Sequence, residues 1–145
     1  MSGYLTEDEV RENAGKTLGF NKIKNVRCGV GQLTTFNQLG IKGKGKDKKP
    51  DGWYLPKDRG AIAIILETKN SKEDIGKTKW INEIKQNCKI AMDAGYTHVI
   101  GILHNGYKTS GFKNNTPIDV PDELQDKEYY FKYFTEECID KERIY

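Results

Sequence analysis

Residues 49–70, KPDGWYLPKDRGAIAIILETKN, contain two apolar runs that are joined by a short polar segment. Both runs, residues 50–55 and residues 61–69, are typical of β-strands. The second is apolar on both faces, as a central strand covered by helices should be. The segment PKDRG between them predicts a hairpin whose three-residue loop places Gly60 in the left-handed conformation. This hairpin is the centre of the predicted fold.

The predicted loop also fixes which residues of the two strands face each other. If Lys57 and Ala61 close the turn, Asp51 lies opposite Glu67, with Cβ atoms roughly 5 Å apart. Lys69 follows two residues later, so its side chain is on the same face. Two opposed carboxylates repel each other unless a cation lies between them, and Mg²⁺ prefers one or two carboxylates with water and substrate phosphate. The hairpin therefore predicts a magnesium site beside a lysine.

Each part of this pattern also has an ordinary structural explanation. Pro-Asp-Gly is a common turn sequence, in which Asp accepts backbone hydrogen bonds and Gly adopts a positive φ. Glu-Thr-Lys can be the polar end of a strand that emerges into water. Taken separately, these explanations are the more frequent ones. The joint occurrence of both sequences at facing strand ends is what favours a functional site.

Helical patterns flank the hairpin. Residues 7–18 predict a helix that begins with a capping box formed by Thr6 and Glu9. Residues 78–95 predict a second amphipathic helix that stops at Gly95. The sequence further predicts a strand or loop at 24–33, an irregular connection at 34–49, a buried strand at 97–104, a returning hairpin strand at 105–112, a strand at 128–134 and a helix beginning at 135–145. This order predicts a mixed α/β sandwich with one main sheet.

The composition excludes several classes of protein. With 145 residues, the chain fits one domain spanning residues 1–145. Cys28, Cys88 and Cys138 are far apart and form no CxxC pair, which is typical of a reducing compartment and argues against a structural zinc site. No apolar run approaches the roughly 20 residues that cross a bilayer, and a net charge of +3 does not by itself indicate a nucleic-acid partner. We expect a soluble, cytoplasmic protein.

Pro50-Asp51, followed after a loop and an apolar strand by Glu67-Thr68-Lys69, resembles the motif of the PD-(D/E)xK nuclease superfamily. This resemblance implies the restriction-endonuclease-like fold, a mixed β-sheet flanked by helices in the order helix, strand meander, helix, strand. It also implies a metal-dependent endonuclease domain that hydrolyses DNA phosphodiester bonds with Mg²⁺, for which Mn²⁺ would substitute. Asp51, Glu67 and the Thr68 carbonyl would then bind the metal, and Lys69 would be catalytic.

The two flanking helices supply further candidates. EDEVRENAGKTLGF resembles the opening helix of the nuclease domains of type I and type IIG restriction-modification enzymes. Many family members carry a metal-binding glutamate on this helix. Glu9 is the nearest match and Glu7 and Glu12 are alternatives, although the capping box alone explains Glu9. Gln86 matches the first residue of a Gln-x₃-Tyr pattern found in some subfamilies, but Ile90 stands at the tyrosine position, so Gln86 is only an auxiliary candidate.

The lysine-rich run KGKGKDKK precedes the motif. Such a run is most often a solvated loop, but its position just before Asp51 favours contacts with DNA phosphates, which position DNA without reading its sequence. The candidates are Lys42, Lys44, Lys46, Lys48 and Lys49. By contrast, His98 and His104 lack the partners of a metal pair or a catalytic triad, so structural roles are expected for both. His104, at the end of its strand, is also a distant candidate for contact with substrate.

The sequence ends at Tyr145, soon after its last predicted helix begins, which suggests a domain from a longer restriction-modification protein. The partners implied by the resemblance are DNA and the motor, methyltransferase or specificity regions of that chain or complex. Two hypotheses compete with the nuclease. One is a DNA-binding or interaction module on the same fold that does not cut, and the other is a structural α/β domain with an accidental motif.

Overall fold

The computed structural model describes residues 3–20 and 27–134 of the chain. Its elements are α1 (Glu7–Leu18), β1 (Cys28–Val30), a 3-10 turn (Asn37–Leu39), β2 (Gly52–Tyr54), β3 (Ile62–Thr68), α2 (Thr78–Asp93), β4 (His98–His104), β5 (Thr109–Lys113) and β6 (Thr116–Ile118). Within the described residues, the strands form one six-stranded sheet in the order β1 to β6. Strands β3 and β4 are parallel and are connected through α2, whereas the other neighbouring pairs are antiparallel. The predicted mixed α/β class is confirmed.

The sheet is covered on both faces, and β3 shows why. Its side chains alternate between two clusters of buried residues: Ala63 and Ile65 lie in the cluster that contains α2, and Ile64 and Leu66 in the one that contains α1. All four side chains are fully buried. A strand that is buried on both sides reads as a continuous apolar run rather than an alternating one.

Helix α1 has the predicted bounds and the predicted start. The N–H of Glu9 donates to the Thr6 hydroxyl at 3.2 Å, and the N–H of Thr6 donates to the Glu9 carboxylate at 3.1 Å. These two bonds form the capping box and satisfy donors that the first turn of a helix leaves free. At the other end, Gly19 has φ of 86° and its N–H donates to the carbonyl of Gly15, which ends the helix.

The register of the central hairpin is the predicted one. Gly52 pairs with Leu66 and Tyr54 with Ile64, so Asp51 and Glu67 follow directly at the ends of the paired strands. The backbone N–H of Asp51 donates to the carbonyl of Leu66 at 3.1 Å, which continues the contact between the strands. The motif therefore occupies the edge of the sheet where β2 begins and β3 ends.

The predicted turn of this hairpin is wrong. Among the described residues, the glycines with positive φ do not include Gly60, and β2 ends at Tyr54, well before the predicted three-residue loop. The Asp58 carboxylate accepts the N–H of Gly60 at 2.9 Å, and the Asp58 carbonyl accepts the N–H of Ala61 at 3.1 Å. An aspartate that bonds to its own backbone neighbours makes the turn without a left-handed residue.

Two further predictions concern the carboxyl-terminal part. Residues 128–134 were predicted to form a strand, but residues 127–134 are helical. Tyr130 and Phe134, four residues apart, are buried in the same apolar cluster, so the aromatic side chains follow a helical period rather than alternation. The predicted helix at 135–145 lies outside the described residues.

Among the described helices, none is long and apolar enough to cross a membrane.

Helix α2 packs closely against the sheet at Gly101 of β4. A Cβ atom at this position would be 2.6 Å from Cys88 Sγ and 3.2 Å from Ile84 Cγ1, both of which belong to α2. The missing side chain therefore allows the helix to pack directly on the strand, and it sets the distance between α2 and the sheet.

Gly101→Ala is expected to lower the free energy of unfolding by about 1–3 kcal/mol, because the added methyl group overlaps Cys88. Cys88→Ala alone is expected to be destabilising as well, since it leaves a cavity. The double variant should be more stable than the sum of the two changes predicts, because the removed sulfur makes room for the new methyl group. Urea unfolding of the four proteins measures this coupling. Additive losses would contradict the close contact.

Candidate active site

The edge of the sheet that carries the motif opens into a cleft of about 930 Å³. Asp51, Glu67 and Lys69 line this cleft together with residues of α2. All three motif residues are buried, with exposed fractions of 7%, 4% and 8% respectively. The structure therefore brings the predicted catalytic residues together in one cleft.

Asp51 is held from two sides. Its Oδ2 accepts the backbone N–H of Thr68 at 2.8 Å and faces the Thr68 hydroxyl at 3.3 Å. Its Oδ1 accepts a longer hydrogen bond, 3.4 Å, from Nε of Arg11 on α1. The carboxylate is thus oriented by the neighbouring strand β3 and by a buried cation.

Glu67 is the most strongly perturbed group of the site. Burial raises its pKa well above the ordinary value of 4.5, and the charge of Asp51 and a hydrogen bond with it raise the pKa further. Asn87 of α2 donates its side-chain amide to Glu67 Oε1. The two carboxyl groups therefore stand side by side, as the register predicts: they share a hydrogen bond when Glu67 is protonated and repel each other when both are ionised. A cation between them would relieve this repulsion.

Lys69 is fixed in place by α2. Its Nζ lies 2.8 Å from Glu83 Oε1 and 3.9 Å from the centre of the Trp80 ring. Burial lowers the pKa of Lys69, but the hydrogen bond and charge of Glu83 outweigh burial, so that its pKa is raised overall. Lys69 is therefore a stable cation near neutral pH and is poorly suited to accept a proton.

The donor atoms of the site fit an open magnesium site rather than a closed metal centre. Among the described residues, no three His, Cys, Asp or Glu side chains are grouped so that they could hold a metal ion. Asp51 and Glu67 form a pair, to which the predicted Thr68 carbonyl would add a third oxygen. Mg²⁺ usually keeps several waters and takes one or two carboxylates together with substrate phosphate. Two buried, mutually repelling carboxylates at the end of a cleft meet that requirement.

Helix α1 brings a different glutamate to the cleft from the nearest sequence match. Glu9 is exposed and engaged in the capping box, and Glu12 is also exposed. Glu7, one of the alternatives, lines the cleft instead. Burial raises the pKa of Glu7, and electrostatic repulsion from the charge of Asp51 raises it further. Glu7 also lies 3.4 Å from Arg11, its neighbour one helical turn away.

The predicted auxiliary and phosphate-contacting residues divide into two groups. Gln86, Lys48 and Lys49 line the cleft. The other three lysines of the run are exposed and are absent from its lining, namely Lys42, Lys44 and Lys46. Lys42 donates to the side chain of Asn37 at 2.7 Å. Ile90, at the tyrosine position of the family pattern, is buried in the core.

Sequence reasoning missed the residues that support the motif, namely Arg11, Trp80, Glu83 and Asn87. Glu83 and Asn87 are one helical turn apart on α2 and contact Lys69 and Glu67 respectively. One signal was present in the sequence: Asn87 is a polar residue adjacent to Cys88, on the buried side of an amphipathic helix. A buried amide in such a place requires a hydrogen-bond partner, and Glu67 provides it.

Comparisons with known proteins assign no family and no function to this cleft. The chain matches no family model, no curated protein and no solved structure. The functional proposal therefore depends on the chemistry of the cleft itself.

Proposed function

We propose that this chain is a Mg²⁺-dependent endonuclease domain that hydrolyses DNA phosphodiester bonds. The observation that carries the proposal is the buried pair Asp51 and Glu67 beside the fixed cation Lys69, at the end of an open cleft. Like charges that a fold brings together at a cost in stability are typical of functional sites.

We further propose the restriction-endonuclease-like fold and a role as the cleavage module of a restriction-modification enzyme. The element order supports the fold: a helix, an antiparallel hairpin, a helix and a strand parallel to the second hairpin strand. The role as a cleavage module rests on the resemblance of the motif and of the opening helix. DNA and the remaining regions of such an enzyme would be the partners.

The protein residues have separate tasks in this proposal. When bound, Mg²⁺ supplies a Lewis acid that makes water a better nucleophile and compensates phosphate charge. Asp51 and Glu67 hold the ion, and the Thr68 N–H keeps Asp51 oriented. Lys69 remains protonated, so it stabilises the negative charge that develops on the phosphate oxygens. Its contact with Glu83 presets the position from which Nζ reaches the phosphate.

A DNA-binding module that does not cut is the second candidate. Arg11 and Asn87 each already donate to one oxygen of the carboxylate pair, which partly compensates the pair without a metal. This module would bind DNA equally well with or without divalent cations, whereas the nuclease requires them for activity.

Cleavage of supercoiled plasmid by the purified domain tests the nuclease. We expect nicked and linear DNA with Mg²⁺ or Mn²⁺, no product in EDTA, and no product from Asp51→Asn in either metal. Asp47→Asn makes the same chemical change at an exposed position and should cut as the wild type does. Equal cutting by wild type and Asp51→Asn would overturn the proposal. A wild type that cuts nothing, and whose melting temperature Mn²⁺ does not raise, would favour the non-cutting module.

A further inference from the structure

Lysines from two walls flank the cleft. Helix α2 contributes Lys79, Lys85 and Lys89, and the segment before β2 contributes Lys48 and Lys49. The α-helix rises about 1.5 Å per residue, so the three α2 lysines span roughly 15 Å. Nucleotides of one strand follow each other every 3.4 Å or so along a duplex axis, which makes this span equal to about four of them. The axial spacing of these lysines therefore matches a strand of nucleic acid in scale.

Lys79 and Lys89 are exposed, whereas Lys85 is half-buried with its Nζ 5.6 Å from the centre of the Phe112 ring. Lys89 pairs with Asp93 at 3.0 Å, but both side chains are largely exposed, and exposed ion pairs of this kind contribute little. Lys79 lies over the Trp80 ring, with Nζ 4.4 Å from its centre, and its side chain is exposed. A phosphate group would thus meet these cations without first breaking a buried ion pair.

The cleft offers backbone contacts but no platform for bases. Within the described residues, no aromatic ring lines it, and between the charged groups it presents only amides, including Gln32, Asn82 and Gln86. The nearby Trp80 lies beneath Lys69 and Lys79, and its Nε1 is buried. Proteins that hold single strands usually stack the bases on aromatic side chains. The lining therefore favours a duplex, whose bases are already stacked on one another.

We infer that the cleft binds double-stranded DNA through its sugar–phosphate backbone, with one strand lying along Lys79, Lys85 and Lys89 of α2. The inference rests on the proposed function, because the same backbone would pass Asp51 and Lys69 at the end of the cleft. Lys48 and Lys49 contact the backbone from the other wall. Phosphate contacts carry no sequence information, so this domain binds duplexes of any sequence with similar affinity.

The salt dependence of binding tests the inference without any cleavage. Fluorescence anisotropy with a labelled duplex of about 20 base pairs is measured in EDTA at several salt concentrations. Each phosphate contact adds about 0.9 to the slope of log affinity against log salt for a duplex. The variant Lys79→Gln/Lys85→Gln/Lys89→Gln is expected to reduce the slope by about 2 to 3 and to weaken binding at least tenfold.

The matched control is Lys16→Gln/Lys57→Gln/Lys108→Gln, which removes the same number of charges from exposed positions that do not line the cleft. It should leave the slope within about 0.5 of the wild-type value. Equal effects of the two triple variants would overturn the inference, and so would tighter binding of the single strand or of an RNA duplex of the same sequence. Circular dichroism verifies that both variants fold.

Failure of the inference and failure of the proposed function give different results. If Asp51→Asn cuts as the wild type does while only the α2 triple variant loses duplex binding, the catalytic assignment fails and the binding surface stands. If Asp51→Asn abolishes cutting but the two triple variants bind alike, the catalytic assignment stands and the backbone path along α2 fails.

Discussion

Replacing Glu67 by glutamine is expected to reduce DNA cleavage at least about a thousandfold and, in EDTA, to raise the melting temperature. Activity falls because one of the two carboxylates proposed to bind the metal is lost, and a thousandfold corresponds to about 4 kcal/mol of transition-state stabilisation. Stability rises because the amide has the shape of the carboxyl group, still accepts the hydrogen bond from Asn87, and no longer repels Asp51. The gain should be on the order of 1 kcal/mol.

The stability gain of Glu67→Gln should depend on pH in a defined direction. A carboxyl group whose pKa is higher in the folded than in the unfolded state stabilises the fold only while it is protonated. Burial and Asp51 raise the pKa of Glu67, so its favourable contribution is lost as the pH rises above the ordinary value of 4.5. The advantage of the variant should therefore be small near that pH and grow as the pH rises above it.

Thermal unfolding in EDTA at several pH values, together with plasmid cleavage in Mg²⁺, measures both effects. Glu12→Gln is the control, since it makes the same chemical change at an exposed position of α1 and should alter neither property. A lower melting temperature for Glu67→Gln at about pH 8 would contradict the repulsion between the two carboxyl groups.

The second large effect concerns His104 and acid unfolding. The Thr109 hydroxyl donates its single proton to the carbonyl of Asp122 at 2.8 Å. It must therefore accept the hydrogen bond from Nδ1 of His104, which lies 2.8 Å away, so Nδ1 carries the proton of a neutral imidazole. Burial lowers the pKa of His104 to about 4, although a backbone hydrogen bond with Lys108 acts in the opposite direction. Between the ordinary pKa of 6.5 and about 4, the unfolded chain binds a proton that the folded protein does not.

Stability should therefore fall by up to about 3 kcal/mol as the pH decreases through this interval. Other groups contribute to the pH dependence as well, among them Glu67, whose pKa burial raises. The contribution of His104 is therefore taken as the difference between proteins. His104→Gln should lose less stability than the wild type between about pH 7 and pH 4.5 in urea unfolding. Identical pH dependence of His104→Gln and wild type would contradict a buried neutral imidazole.

The central hairpin shows what the sequence can predict about this fold. The register of β2 against β3 agrees with the prediction although the predicted turn is wrong. Because β3 is apolar on both faces, burial alone does not fix this register. The pairing partner does: a Cβ atom at Gly52 would lie 2.8 Å from Leu66 Cδ2, so the position beside Leu66 requires glycine whatever the loop does. The turn depends on a local hydrogen bond of Asp58, which several residue types and conformations can replace.

Some residues of the candidate site could be placed from the sequence, and others could not. Asp51, Glu67 and Lys69 could be placed from sequence because all three belong to one hairpin, whose geometry has a period of two residues. Arg11, Glu83 and Asn87 could not, because their contacts depend on how the two helices are rotated and set against the sheet. The helical residues 127–134 escaped prediction for a related reason, since a run of aromatic residues packs well in either a strand or a helix.

Helix α2 takes part both in the proposed positioning of the catalytic side chains and in the proposed binding of DNA. One face of the helix holds Lys69 and Glu67 through Glu83 and Asn87, and an adjoining face carries the lysines along the cleft. The close packing at Gly101 fixes the height of this single rigid body above the sheet. Any substitution that moves α2 away from the sheet would thus widen the cleft proposed to bind DNA. The same movement would displace the side chains that position Glu67 and Lys69. Substrate fit and catalytic alignment in this protein are therefore expected to change together.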